Sequence, residues 1–510
     1  MSMPAEHLNT RATLAELLNG IADAPEVVID GIALDSRKVE QGFLFLACQG
    51  ATNHGLDFYE QVAAAGAVAI AFDSTTAKSL PDNVDISLIP VANLATKVGE
   101  IANRFFAFPS QQMKVIAVTG TNGKSTVAWL LTQCLDNLGM TCAYAGTLGY
   151  GVGELDNDDD MTSPDVVELH SRFAGFVAAG AQYAAIEVSS HALDQRRLDG
   201  VRFDTTLFTN LSRDHLDYHG DMRAYGEAKA KLFVEHPARQ RIINLDSEFG
   251  TQLASRCRED VITVSTNFDR VANGRPYVFV RSVVSNVNGS EIAIQSAWGE
   301  TRFDLPLVGD FNVANALLVL AYLLSADVEL ERACEALSQV SAPPGRMQRV
   351  AAENGPAVYV DYAHSPGAIE GAIRALRAHT RGRLYCVFGC GGERDSGKRP
   401  LMGRAAERLA DAVVITSDNP RGEQPDEIIA EILAGFSNPA NATVIEDRGA
   451  AIAWAIADAA ENDVLLIAGK GHENYQIIGE QRLDFSDYGA VAGNLAALAA
   501  LAAPAAEADA

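Results

Sequence analysis

Long apolar runs are missing from this chain of 510 residues, and with them any segment with the length and apolarity of a membrane span. A protein that is not membrane-embedded is expected. The opening, MSMPAEHLNTRATLAELL, has no basic stretch followed by an apolar one, so a secretory leader is not expected. Cysteine pairs are missing too. The seven cysteines are scattered, odd in number and never spaced CxxC, which argues against a disulfide framework or zinc site and for free thiols in a reducing cytoplasm. Positive charge is scarce: 40 Lys+Arg face 66 Asp+Glu, a formal net charge of -26. So acidic a chain is unsuited to gripping nucleic acid or an anionic membrane, and no nucleic-acid partner is expected. An anionic substrate would need basic residues gathered locally.

What is present is globular in character, with 48% hydrophobic and 21% charged residues. The length calls for about two to four domains. Residues 1–93 alternate apolar runs (VVIDGIAL, GFLFLAC, AVAIAF) with a helix-like stretch near residues 59–65, which predicts a small N-terminal α/β domain. Residues 94–342 open with a strong strand–loop–helix signal and carry apolar runs at YAAIE, TTLFTNL, RIINL and VITVS that read as buried strands. Between residues 276 and 308 the pattern alternates with period two around Asn288-Gly289, a hairpin signature. A Pro-Pro-Gly break at residues 343–345 marks the next boundary. Beyond it, residues 343–510 repeat strand–loop–helix units (AVYVDYA, LYCVFGC, AVVITSD, TVIEDR, VLLIAGK), predicting an open, largely parallel, doubly wound sheet. The Ala-rich end past residue 490 reads as a helix running into a frayed tail.

The segment MKVIAVTGTNGKSTVAWLLTQCLDNLG is the most specific local signal. A buried strand runs into Gly120, Thr121, Asn122 and Gly123. Past Lys124, Ser125 and Thr126, apolar residues recur at Val127, Leu130, Leu131, Cys134, Leu135 and Leu138 with helical spacing. A strand, a glycine loop and a helix N-terminus together present backbone N–H groups and a positive dipole end to a polyphosphate. Lys124 supplies charge for the β and γ phosphates, and the Ser125 hydroxyl can ligate Mg²⁺. Val118 stands where the common phosphate-loop pattern has its first glycine.

This TGTNGKST form resembles the Mur ligases and the related folylpolyglutamate synthases, which couple ATP cleavage to amide formation through an acyl phosphate. The motif alone does not separate them. The resemblance implies three α/β domains: a UDP-binding N-terminal domain, a central P-loop-type ATPase domain with a mainly parallel sheet, and a Rossmann-like C-terminal domain. Further pieces match in order. In YAAIEVSSHALDQRR, Glu187 ends a strand where a carboxylate could bind Mg²⁺. In TNLSRDHLDYHGDMRAYGEAKAKLF, the resemblance implies a metal-binding His215 and a CO₂-derived carbamate on Lys229. Lys229 and Lys231 lie two apart on a predicted helix and so face different ways. A lysine with a lowered pKa can be neutral, take up CO₂ and hold a cation. Asn312 stands at a helix start, an N-cap position, and by resemblance contacts adenine. By the same matching Arg346 meets the γ-phosphate, Asp361 the ribose, and His364 lies beside the nucleotide.

Three loops follow strands of the C-terminal sheet, where ligands of open α/β sheets bind. They are GCGGERDSGKRP, SDNPRGEQP and GKGHENYQ, and they supply Arg394, Asp418, Asn419, Pro420, Arg421, Gly469, Lys470, His472 and Glu473. That mix suits a zwitterionic amino acid, although DNPR could also be a plain turn. DNPR resembles the diaminopimelate-adding branch of the family, in which Arg421 and Arg394 would fork onto the distal carboxylate that lysine lacks. Asp418, Asn419, Gly469 and Glu473 would hold the remaining amine and carboxylate. At the N-terminus, Leu34, Ser36, Ala51, Thr52 and Asn53 match positions holding UDP, and Thr162, Ser163, Ser189, Gln195 and Arg197 match positions contacting the muramoyl dipeptide. The implied activity is ATP-dependent addition of meso-diaminopimelate to a UDP-muramoyl dipeptide by a cytoplasmic monomer. A lysine-adding relative, a folylpolyglutamate synthase, a P-loop switch without ligase activity and a non-catalytic precursor-binding protein are the alternatives. DNPR and the developed N-terminal domain disfavour the first two, the arginines beyond separate strands the third, and intact Lys124, Glu187, His215 and Lys229 the fourth.

Overall fold

The computed structural model describes residues 11–50, 52–77, 86–156, 163–257, 260–270, 274–286, 288–350 and 355–502. The chain forms two compact units, the first running through residue 263 and the second taking up residues 264–271 and the chain from residue 277, with the short stretch 272–276 returning to the first. Among the described residues no helix is long and apolar enough to cross a membrane, and all seven cysteines are free.

In the first unit, the early apolar runs form a parallel sheet in the order Gly31–Ala33, Phe43–Ala47, Ala69–Asp73, Ser87–Val91. Phe43–Ala47 and Ala69–Asp73 are buried almost throughout, as continuous rather than alternating apolar runs predict for parallel strands. The helix-like stretch is the helix Tyr59–Ala64. Val98–Phe105 packs Val98, Ile101 and Phe105 into one core with Leu14, Leu44 and Ile89.

A second sheet in this unit has Lys114–Thr119 at its middle, parallel to Phe203–Phe208 on one side and to Tyr183–Glu187 on the other. Ala238–Asn244 and Cys142–Gly146 extend it in parallel, and Gly149–Val152 turns back antiparallel. Register matters here: Glu187 pairs with Val118, so the carboxylate ends its strand level with the start of the glycine loop.

The second unit opens with an antiparallel meander, Tyr277–Asn286, Gly289–Ser296 and Gly299–Leu305. Asn286 pairs with Gly289, closing the expected hairpin. The next helix, Asp310–Ser325, begins earlier than the expected Asn312 cap: Gly309 is the N-cap, and the Asn312 amide turns back to the Val308 carbonyl at 2.9 Å. A six-stranded sheet follows, in the order Gln348–Val350, Ala357–Asp361, Val464–Ala468, Leu384–Phe388, Ala412–Ile415, Ala442–Val444. The edge strand Gln348–Val350 is antiparallel and the other five run parallel. Neighbouring residues on one strand serve opposite cores. Tyr359, Cys386 and Leu466 pack against Ile369, Ile373 and Met402, while Val358, Tyr385 and Leu465 pack against Ile452, Val491 and Leu495. Helices on both faces are what a parallel sheet requires. The Ala-rich end is the helix Asp487–Ala502; the expected frayed tail beyond it lies outside the described residues.

Candidate active site

The glycine loop leads into the helix Lys124–Asn137 through Gly123, whose φ of 87° sets the tight turn. A Cβ on Gly120 would run into Thr209 Oγ1, so only glycine lets the two segments approach this closely. The loop is braced from the neighbouring strand end: Thr121 N–H donates to the Asn210 carbonyl at 2.8 Å and Asn122 N–H to Asn210 Oδ1 at 3.0 Å. Lys124 Nζ donates to the carbonyls of Gly120 (3.1 Å) and Thr121 (2.9 Å), and Thr126 follows in the first helical turn.

Ser125 Oγ donates to Glu187 Oε2 at 2.8 Å. The buried Glu187 also accepts from Tyr144 OH at 2.6 Å and Thr147 N at 2.8 Å. A hydroxyl and a carboxylate converging beside the phosphate loop fit the hard-oxygen preference of Mg²⁺. Lys229, on the helix Met222–Val234, is only 1% exposed and donates to the Gly120 carbonyl at 2.9 Å. Burial, with the Lys124 charge adding to it, pushes its amine down to about 6. Lys231 faces outward and pairs with Asp194 at 2.8 Å. His215 is exposed, lies 3.5 Å from Asp214, packs edge-on against His191 and sets its ring 6.1 Å from that of Tyr225 on the helix bearing Lys229. Among the described residues no three His, Cys, Asp or Glu side chains are grouped so as to hold a metal ion. The expected set contains only Glu187 and His215 of those types, since its other members are a hydroxyl and a modified lysine.

Ser163 Oγ donates to the Glu187 carbonyl at 3.3 Å, and Ser189 caps the helix Ser190–Asp194. Arg197 Nη1 donates to the Ser163 carbonyl at 2.7 Å and Nη2 to Gln195 Oε1 at 2.6 Å. These four expected dipeptide positions are thus joined to one another and to the strand end bearing Glu187. Thr162 lies outside the described residues, as does Ala51. Leu34 packs at the N-terminal core, Ser36 Oγ lies 3.4 Å from Gln61 Oε1, and Thr52 and Asn53 form an exposed bend.

In the second unit, Asp361 ends its strand and accepts the N–H groups of Met347 (2.7 Å) and Ala363 (2.9 Å); burial pushes its carboxyl up. Arg346 stacks over the Tyr362 ring at 4.9 Å, and its buried Nε finds no hydrogen-bond partner among the described residues. His364 is exposed and meets the Tyr362 carbonyl through Nδ1 at 2.8 Å. Asn312 is buried, with Oδ1 accepting from Asn315. The three loops beyond the sheet do converge. A Cβ on Gly391 would stand 3.0 Å from Arg421 Nη1 and 3.7 Å from Arg394 Cγ, so both arginines flank one glycine. Arg421 Nη1 donates to the Gly392 carbonyl at 2.8 Å, and the Pro420 carbonyl accepts from Glu423 N at 3.1 Å. Asp418 Oδ2 lies beside Gly469, and Asn419 Nδ2 donates to Glu473 Oε2 at 2.9 Å.

Three stretches match models of Mur ligase parts: residues 28–106 the "Mur ligase family, catalytic domain", residues 118–323 the "Mur ligase middle domain" and residues 345–471 the "Mur ligase, glutamate ligase domain". A UDP-N-acetylmuramoyl-L-alanyl-D-glutamate--2,6-diaminopimelate ligase of Pseudomonas putida is 45% identical over 90% of this chain and 93% of its own. The chain belongs to the Mur ligase family. A namesake from Coxiella burnetii is 42% identical over 91% of this chain and 94% of its own. A solved structure of a ligase of that name is similar at a TM-score of 0.74 and 32% identity, covering 96% of this chain and 99% of that one.

Sequence reasoning missed part of what surrounds the site of this Mur ligase. Tyr225 lies under Lys229, 4.5 Å from Nζ to the ring, and its hydroxyl meets Thr121 Oγ1 at 3.2 Å. The four-residue spacing of Tyr225 and Lys229 on one helix was the available signal. Arg448 and Asp487, a fully buried pair, were invisible. Arg448 reaches the carbonyls of Ser417 (3.3 Å) and Ala468 (2.9 Å), the residues just before Asp418 and Gly469. They lie 39 residues apart, and nothing local joins them.

Proposed function

We propose that this Mur ligase adds meso-2,6-diaminopimelate to the D-glutamate of UDP-N-acetylmuramoyl-L-alanyl-D-glutamate, with ATP cleaved to ADP and phosphate, as a cytoplasmic monomer of peptidoglycan synthesis. The observation that carries this reading is the pair Arg421 and Arg394 flanking Gly391 beyond the C-terminal sheet. Two guanidinium groups suit a carboxylate that diaminopimelate has and lysine lacks. The names and identity of the relatives support the same substrates.

In this reading the loop residues 120–123 cradle the phosphates through their N–H groups, with Lys124 countering charge. The glutamyl carboxylate attacks the γ-phosphorus, releasing ADP and leaving an acyl phosphate. The neutral amine of diaminopimelate attacks the acyl carbon, and phosphate leaves from the tetrahedral intermediate. Arg346 opposes the charge developing on the transferred group, while Asn312, Asp361 and His364 serve the nucleoside. Catalysis rests on positioning and charge neutralisation. Ser125, Glu187, His215 and Lys229 would hold Mg²⁺, which when bound neutralises phosphate charge. Lys229 enters as its carbamate: the neutral amine bonds to the carbon of CO₂ and releases one proton. Its burial and lowered pKa support that chemistry. Leu34, Ser36 and residues 51–53 hold the UDP end, and Ser163, Ser189, Gln195, Arg197 and residue 162 the dipeptide. Asp418, Asn419, Gly469 and Glu473 take the remaining groups of the amino acid.

The test is incubation with ATP, Mg²⁺, the UDP-muramoyl dipeptide and a panel of amino acids. Phosphate release and a product of tripeptide mass should depend on diaminopimelate; equal product with lysine overturns the reading.

A further inference from the structure

Lys470 has no role in the scheme above, yet it is fully buried at 0% exposure among the amino-acid loops. Gly469 (φ 121°) and Gly471 (φ 56°) flank it, and a Cβ on Gly471 would press on Tyr362 Cβ at 2.7 Å. This turn, open to glycine alone, aims the lysine inward. Its Nζ donates to Asn419 Oδ1 and to Glu473 Oε2, both at 3.0 Å. Asn419 Nδ2 donates to the same Glu473 oxygen at 2.9 Å, closing a three-membered ring of side chains. Ile477 N–H adds a second donor to Asn419 Oδ1 at 3.0 Å.

The ring uses up some atoms and spares others. Asn419 Oδ1 and Glu473 Oε2 each accept two hydrogen bonds. Glu473 Oε1 accepts none among the described residues, and its side chain is 17% exposed. A carboxylate held through one oxygen presents the other in a fixed direction, and a buried cation keeps it from standing uncompensated.

We propose that Lys470 is a positioning residue for the amino-acid substrate. It locks Asn419 and Glu473 so that Glu473 Oε1 faces the ammonium group of the incoming diaminopimelate. The inference rests on reading these loops as the amino-acid site.

The test compares Lys470→Met, Glu473→Gln and the double variant in the full chain, with saturating ATP, Mg²⁺ and UDP-dipeptide. By analogy with residues that orient a binding group without touching its ligand, Lys470→Met should raise KM for diaminopimelate about tenfold to hundredfold. A uniform structural loss would lower kcat and worsen all substrates together; the expected pattern leaves kcat within about threefold and KM for ATP unchanged. Because Lys470 acts through Glu473, the double variant should match Glu473→Gln within about twofold. Additive effects, as from a lysine that grips the substrate itself, overturn the inference, and so does an unchanged KM in folded Lys470→Met. If Lys470→Met does not fold, comparing Glu473→Gln with the double variant, in which both charges are gone, decides in the same way. Should Glu473→Gln alone leave KM for diaminopimelate unmoved, the amino-acid site itself is misplaced, a failure distinct from that of Lys470.

Discussion

Arg421 has a φ of 53°, and its backbone is clamped at both polar groups: N–H to the Ile477 carbonyl at 3.1 Å, carbonyl to Gly479 N–H at 2.7 Å. The loop is therefore held by main chain, and the guanidinium can be removed without releasing it. Arg421→Ala should lose about 2–5 kcal/mol of discrimination for diaminopimelate over lysine, with binding of an ATP analogue unchanged by calorimetry. Unchanged selectivity would sink the assignment. Lys229 gives a second prediction. In metal-free, CO₂-stripped protein its folded-state pKa is near 6, against about 10.4 in the unfolded chain. Between those values the unfolded chain binds the extra proton, so this lysine makes stability rise with pH; below about 6 both states are protonated and the penalty is constant. Relative to Lys229→Met, the wild-type chain should gain in denaturant midpoint from pH 7 to pH 9. A flat difference would refute a neutral buried amine. With ¹³CO₂ and Mg²⁺ present, a carbamate carbon signal should appear in the wild type and vanish in Lys229→Met.

At the scale of elements, the phosphate loop was the most legible part of the chain, because its signal is local: a strand, glycines and a helix within one short segment. Four of the five parallel C-terminal strands were legible for a like reason, since two-sided burial leaves continuous apolar runs; the edge strand Ala442–Val444 is not buried in that way. Strand order was not legible, and neither was any contact made across it. Glu187 could be read as ending a strand, but not its hydrogen bonds to Tyr144 and Thr147, which depend on the neighbouring strand's path. The Asn312 cap was misplaced because a glycine with φ of 89° can open a helix as well as close one. Helical spacing turned Lys229 and Lys231 to different sides, but only the family resemblance selected Lys229, and its burial comes only from packing. The loop itself is testable. Gly120→Ala forces a methyl into Thr209 Oγ1 in a backbone conformation with φ of 150°. It should cost about 1–3 kcal/mol of local strain and weaken nucleotide binding while Tm moves by only a few degrees. Retained affinity for an ATP analogue would show that the loop does not touch phosphate.

For the whole molecule, a formal charge of -26 means that ATP and a UDP-linked substrate approach a repelling body. Screening should relieve that repulsion, the Debye length falling from about 30 Å at 0.01 M salt to about 8 Å at 0.15 M. KM for both anionic substrates should therefore fall over this range while KM for zwitterionic diaminopimelate changes little; a rise in all three would contradict it. The buried Arg448–Asp487 pair ties the last helix to the ends of two strands. Asp487→Ala leaves a buried cation unpaired and should cost about 3–5 kcal/mol in denaturant unfolding.

Val464–Ala468 lies between Ala357–Asp361 and Leu384–Phe388, although it is the last of the three in sequence. Synthesis runs from the N-terminus, so two strands of this sheet are made long before the one that joins them. Until residue 468 has been added, both hold open edges toward an empty slot, the kind of edge that pairs with other chains. A nascent or truncated molecule ending anywhere from residue 389 to residue 463 thus carries an unfilled gap at the centre of a sheet. Premature termination there should yield aggregates rather than a smaller folded protein, and the joining of this sheet is necessarily one of the last events in making the molecule.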